Sequence, residues 1–150
     1  MFDMEDICDA LATRYAPGTI GTPTGALAMR SSYGQVPNSV PVTPAVIVMP
    51  KSGTVVYGAQ TWDVTHQIDA LFYYSKRQGD LPRSETQRQL WLPLLLSATH
   101  GKVALGLSGT VKSAMVTGYE FGVLIYGADE YDGIVIHYDV IVRESVSLTP

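Results

Sequence analysis

The stretch that most constrains this chain is Gly133 to Arg143, where apolar and polar positions alternate over eleven residues. Ile134, Ile136, Tyr138, Val140 and Val142 fall on one face, and Val135, His137, Asp139, Ile141 and Arg143 on the other. Side chains of a strand point to opposite faces in turn, so this pattern predicts a strand with one face in the core. Such a strand needs partners on both edges or one. The rest of the chain has to supply a sheet and a layer to cover its apolar face.

A chain of 150 residues is long enough to bury one core without disulfides, and a single domain over residues 1–150 is expected. The apolar fraction of 46% supports folding, whereas the charged fraction of 16% is low for a soluble domain and leaves surface that self-association could cover. A net charge of −4 argues against tight phosphate binding. Cys8 is the single cysteine and forms no internal disulfide, which suits a reducing compartment. No apolar run reaches the roughly 18 residues of a membrane span. The N-terminus MFDMEDICDALATRY carries acids where a secretion signal carries bases. A soluble intracellular protein is expected.

Met4, Ile7, Cys8, Leu11 and Tyr15 repeat every three or four residues, which predicts a helix from Phe2 to Ala16 closed by Pro17 and Gly18. Asp3 and Asp6 stand in its first turn and Arg14 in its last, as the helix dipole favours. Prolines and glycines punctuate the region from Pro17 to Pro44, leaving room for a short strand at Ala26 to Arg30. The segment Ser31 to Thr43 (SSYGQVPNSVPVT) reads as an arm with a partner or as a flexible surface loop. Ala45 to Met49 is a buried strand between Pro44 and Pro50. A turn at Lys51 to Gly53 and a short return at Thr54 to Tyr57 follow, then a long strand from Val64 to Lys76.

Ser84 and Gln87 resemble a capping box ahead of a second helix, Glu85 to Thr99, with Leu90, Trp91, Leu94, Leu95 and Ala98 on a broad apolar face. Pro93 inside it predicts a kink or a break into two pieces. Apolar residues nearly all round imply cover on two sides, by the sheet and by a neighbouring subunit. Ser108 and Gly109 turn the chain into a strand from Thr110 to Thr117, a short strand follows at Val123 to Tyr126, and turns lie at Gly127 and at Asp132 with Gly133. The order of elements predicts an α+β protein, a mostly antiparallel sheet packed with two main helices.

No catalytic, metal or cofactor motif stands out. His137 and Asp139 share a strand face, but further ligands are missing, and a half-exposed polar face is the simpler reading. Asp129, Glu130 and Asp132 lack the spacing of a calcium loop, and Ser108 does not complete a G-x-S-x-G elbow. Cys8 on the helix stripe reads as a small core hydrophobe. The basic cluster Lys76, Arg77, Arg83 and Arg88 is too small for strong nucleic-acid binding and reads as a match for an acidic patch on an adjacent subunit, such as Asp129, Glu130 and Asp132 or the acids of the N-terminal helix.

The segment YGQVPNSVPVTPAVIVMP (Tyr33 to Pro50), the long strand, the second helix, LGLSGTVKSAMVTG (Leu105 to Gly118) and the final alternating strand together resemble the tail terminator family of long-tailed bacteriophages, which includes minor tail and head-to-tail connector proteins. The resemblance implies a small α+β protomer that forms a ring of six on the head-proximal end of the tail tube. It would stop tube polymerisation and present a docking face to the head-side connector, with the genome passing through the pore unbound. Such a protein is a structural part of the virion and not an enzyme, assembled in the host cytoplasm, with no cofactor and no membrane. A closed ring uses heterologous interfaces. For these we expect Tyr33, Val36, Pro37 and Asn38 of the arm, Lys76, Arg77, Arg83, Arg88 and Trp91, and Asp129 with Glu130. The alternatives are a head-closure or stopper protein and a small ligand-binding α+β domain with a concave pocket.

Overall fold

The computed structural model describes residues 3–39, 42–77, 81–107 and 109–145, the side chains of 81–84, 144 and 145 excepted. The fold is α+β. Its elements are α1 (Met4–Thr13), β1 (Ser31–Tyr33), β2 (Ala45–Tyr57), β3 (Thr61–Lys76), α2 (Leu81–Leu96), β4 (Val111–Tyr126) and β5 (Asp129–Ser145). The five strands form one sheet in the order β1-β2-β3-β5-β4, antiparallel throughout except for the parallel β1–β2 pair.

The alternation of the last strand holds in full. β5 lies second from the edge, between β3 and β4, and Ile134, Ile136, Tyr138, Val140 and Val142 are all buried beneath the helices. Val135, His137, Asp139 and Ile141 stay half-exposed on the open face. α1 packs on β1 and β2 through Ile7, Cys8 and Leu11, and α2 packs on β3 and β5 through Trp91 and Leu95. Between the two helices the hydroxyls of Tyr15 and Tyr138 meet in the buried core, and Tyr15 also donates to the Leu95 carbonyl. Burial pushes both phenols above their ordinary range.

Several boundaries differ from the sequence reading, and most differ for one reason. Strands here are continued by cross-strand pairing through residues that locally read as turns. β2 runs on through Pro50 and the expected Lys51–Gly53 turn, because β1 ends opposite Ile47 and the free outer edge tolerates a residue without an N–H at a bulge between Pro50 and Ser52. β4 is one strand where two were expected, its glycines Gly118 and Gly122 absorbed by pairing to β5. Asp129, Glu130, Asp132 and Gly133 belong to β5 and not to a turn. Gly133 is required there by space: a Cβ would overlap the Phe72 carbonyl oxygen and the Leu124 side chain.

The expected strand at Ala26 to Arg30 is absent, and the short strand begins at Ser31. α1 is shorter than expected, with Asp3 as its N-cap accepting from the Glu5 amide at 2.9 Å. α2 starts at Leu81, so Ser84 lies inside it and does not cap it, and it passes Pro93 as one helix and not as two pieces. On its second side Gln87 donates to the Gly25 carbonyl at 3.3 Å and Gly21 approaches Leu94, while Leu90 stays exposed. Ser108, assigned to a turn, lies outside the described residues. No described helix is long and apolar enough to cross a membrane.

Candidate assembly interface

The expected interface residues divide into those the chain uses internally and those it leaves outside. Lys76 ends β3 and Arg77 follows it, and the β3–β5 register sets Lys76 opposite Tyr131, at the start of β5. That register brings Lys76 Nζ within 3.1 Å of Asp129 Oδ1 and Arg77 within 3.9 Å of Glu130 Oε2. The Arg77 amide also donates to the Glu130 carbonyl at 2.8 Å. Asp129 and Glu130, expected on an adjacent subunit, are thus met inside the protomer. Such surface pairs contribute little to stability, about 0–1 kcal/mol each.

Arg88 is likewise internal. It reaches from α2 to donate to the carbonyls of Gly122 at 3.2 Å and Gly133 at 3.0 Å, and its guanidinium carbon lies 5.7 Å from the centre of the Phe121 ring. Gly122 and Gly133 are register partners, so one arginine ties α2 to both strands of the β4–β5 hairpin. Arg83 stands in the first turn of α2, its side chain outside the description. Trp91 is 0% exposed, its ring 5.3 Å from that of Phe72. It is a core anchor of α2, out of reach of a partner.

The arm is folded onto its own protomer. Tyr33 closes β1 and packs against the second apolar cluster, Ile47, Tyr73 and Tyr131, on the open face of the sheet. Ser32 donates to the Ala12 carbonyl at 2.6 Å, Ser31 to that of Val42 at 3.0 Å, and the Tyr126 hydroxyl donates to the Pro37 carbonyl. Gly34 passes so close to α1 that a Cβ would collide with Asp9. The described part of this segment is therefore a tethered arm and not a flexible loop, and Val40 and Pro41 lie outside the described residues. Val36 and Asn38 remain exposed on it, and Val36 borders a cleft of about 290 Å³ with Met4, Cys8, Val48, Met49 and Pro50. Burial, then the nearby Asp9 charge, push the Cys8 thiol up to about 11, in keeping with a core hydrophobe.

Two apolar surfaces escaped the sequence reading. On β4, Tyr119, Phe121, Val123 and Ile125 are 46%, 41%, 42% and 68% exposed, a row along one face of the edge strand. On the β2–β3 hairpin, Val56 and Tyr57 are 64% and 74% exposed, Tyr57 stacking on Trp62 at 5.7 Å. The period-2 signal of the β4 row is present in the sequence, but the intervening Gly118 and Gly122 divided it. Exposed apolar rows of this kind mark contact surfaces.

The open face of the sheet is polar at its centre. His137 Nδ1 lies 2.7 Å from Asp69 Oδ1, its register partner on β3, and Nε2 lies 4.0 Å from Glu120. Asp139 shares that face, as alternation requires, yet the partner of His137 is Asp69, which is 68 residues away in sequence. A shallow pocket of about 210 Å³ adjoins them, with Lys51, Gln67 and Thr117 in its wall. Among the described residues no group of three or more His, Cys, Asp or Glu is placed to hold a metal ion. Nearby, Arg143 grips Asp63 through two bonds of 2.8 and 3.1 Å, and that hydrogen bonding holds the Asp63 carboxyl below its ordinary range. Comparison with protein-family models and with curated proteins finds no match to this chain.

Proposed function

We propose that this protein is a ring-forming structural component of a phage tail, a tail terminator that caps the head-proximal end of the tail tube and joins it to the head connector. The observation that carries the reading is the pair of unlike apolar surfaces at opposite sides of one sheet, the β4 row and the β2 side with its hairpin. Surfaces of different shape on opposite sides of a protomer are what a head-to-tail ring requires. The sequence resemblance to tail terminators and the α+β fold of the protomer support the same reading. The acidic total charge suits a pore through which DNA slides without sticking.

The test is solution mass by light scattering over a range of concentration, with the protein alone and mixed with its candidate tail-tube subunit. A ring of six, or a monomer that becomes a ring on tube ends and stops their growth, is the expected result. Binding to a head-side connector with no effect on tube length would place the protein on the other side of the joint, as a stopper. A monomer indifferent to both would end the reading.

A further inference from the structure

Resting on the ring reading, the geometry points to a specific contact: the β4 edge of one protomer docks on the β2 edge of a second copy, with Tyr119 entering the cleft between α1, the arm and β2. The register of the sheet supports it. Val48 pairs with Ala70, Ala70 with Ile136, and Ile136 with Tyr119, so one row of residues crosses the sheet from β2 to β4. Its two ends therefore face the same helix layer at the same height. The next row runs Ser32, Val46, Phe72, Ile134 and Phe121, and there β1 already occupies the outer side of β2. β1 stops opposite Ile47, and the cleft opens at Val48, the residue level with Tyr119. The knob and the hole lie on matching rows of opposite edges.

Strand direction agrees. In the order β1-β2-β3-β5-β4 every neighbour but β1–β2 is antiparallel, so β4 runs opposite to β2. A copy related by rotation about an axis along the strands then sets β4 antiparallel to β2, and repeated rotation closes a ring. The β4 edge is already engaged at Ala114, whose amide donates to the Val103 carbonyl at 2.6 Å, which directs docking toward the Tyr119 end.

Asp3, Glu5, Asp6 and Asp9 are exposed acids on and around α1 on the cleft side. On the β4 side the charges are mixed: Lys102 is exposed next to the residue that meets Ala114, Arg88 is engaged by the Gly122 and Gly133 carbonyls, and Glu85 and Glu120 are exposed near the row. Shape and register, not charge, select the partner edge.

The experiment measures self-association of Tyr119→Lys against Leu27→Lys, an exposed position outside both apolar surfaces, alone and with tube protein, and cross-linking in a Cys8→Ala background between separate Tyr119→Cys and Val36→Cys protomers. Tyr119→Lys should weaken assembly at least about tenfold while Leu27→Lys leaves it unchanged, and both should keep the parent circular dichroism. The two cysteine variants should cross-link to each other when mixed and not each to itself. A ring that persists in Tyr119→Lys without such cross-links refutes this contact and leaves the ring reading standing. A parent protein monomeric under every condition overturns both.

Discussion

Replacing Trp91 by alanine separates a core role from an interface role. The indole is fully buried between α2 and the sheet, against Phe72. A tryptophan removes roughly 200 Å² from water, worth about 5 kcal/mol at ~25 cal/mol per Å². Allowing for the retained Cβ and a compact unfolded chain lowers this to about 3–4 kcal/mol, inside the range for Trp→Ala in cores. For a domain of this size the melting temperature should fall by about 10 °C. Urea unfolding followed by far-ultraviolet circular dichroism is the assay, since the substitution removes one of the two tryptophan reporters. Trp91→Phe should cost less, about 1–2 kcal/mol, because the Trp91 Nε1 has no hydrogen-bond partner among the described residues and its removal breaks none. A loss below about 1 kcal/mol for Trp91→Ala, accompanied by collapse of self-association, would refute the core assignment.

Three further outcomes are expected. Tyr15 and Tyr138 have folded pKa values raised above the ordinary 10.0, chiefly by burial, so their contribution is intact below pH 10 and is lost as pH rises above it. The slope should approach about 1.4 kcal/mol per pH unit for each phenol, and a urea midpoint that stays flat from pH 9 to 11 would contradict this. Pro93 is exposed within α2 and denies the Gln89 carbonyl its helix bond, so Pro93→Ala should raise stability by about 1–3 kcal/mol, with an unchanged melt counting against the reasoning. Tyr126→Phe removes the bond to the Pro37 carbonyl, and should speed proteolysis within 34–39 while costing about 1 kcal/mol globally; equal digestion rates would show that the arm is held by other contacts.

Local pattern carried far in this chain. The stripe of α1, the alternation of β5 and the α+β class are all legible, because a buried face repeats at the period of its own element. In β3, Ile68, Ala70, Phe72 and Tyr74 alternate and are buried, but Tyr73 between them is buried as well, on the other face. Turn residues misled wherever pairing outweighed them, at Lys51–Gly53 in β2 and at Gly118 in β4. The interface residues misled for a related reason. Lys76, Arg77, Asp129 and Glu130 look like complementary surface charges in sequence, and nothing local reveals that the β3–β5 register makes them neighbours within one protomer.

Composition and periodicity thus determined that the chain has a core, one strand that must lie inside a sheet, and two helices to cover it. Only the tertiary structure decided which polar residues are already satisfied and which apolar ones are left outside. His137 meets Asp69, Trp91 goes inward, and Tyr119 is stranded on an edge, each through contacts between residues far apart in sequence. Periodicity reports the face of one element. Register and strand order, set by packing across elements, decide what that face meets.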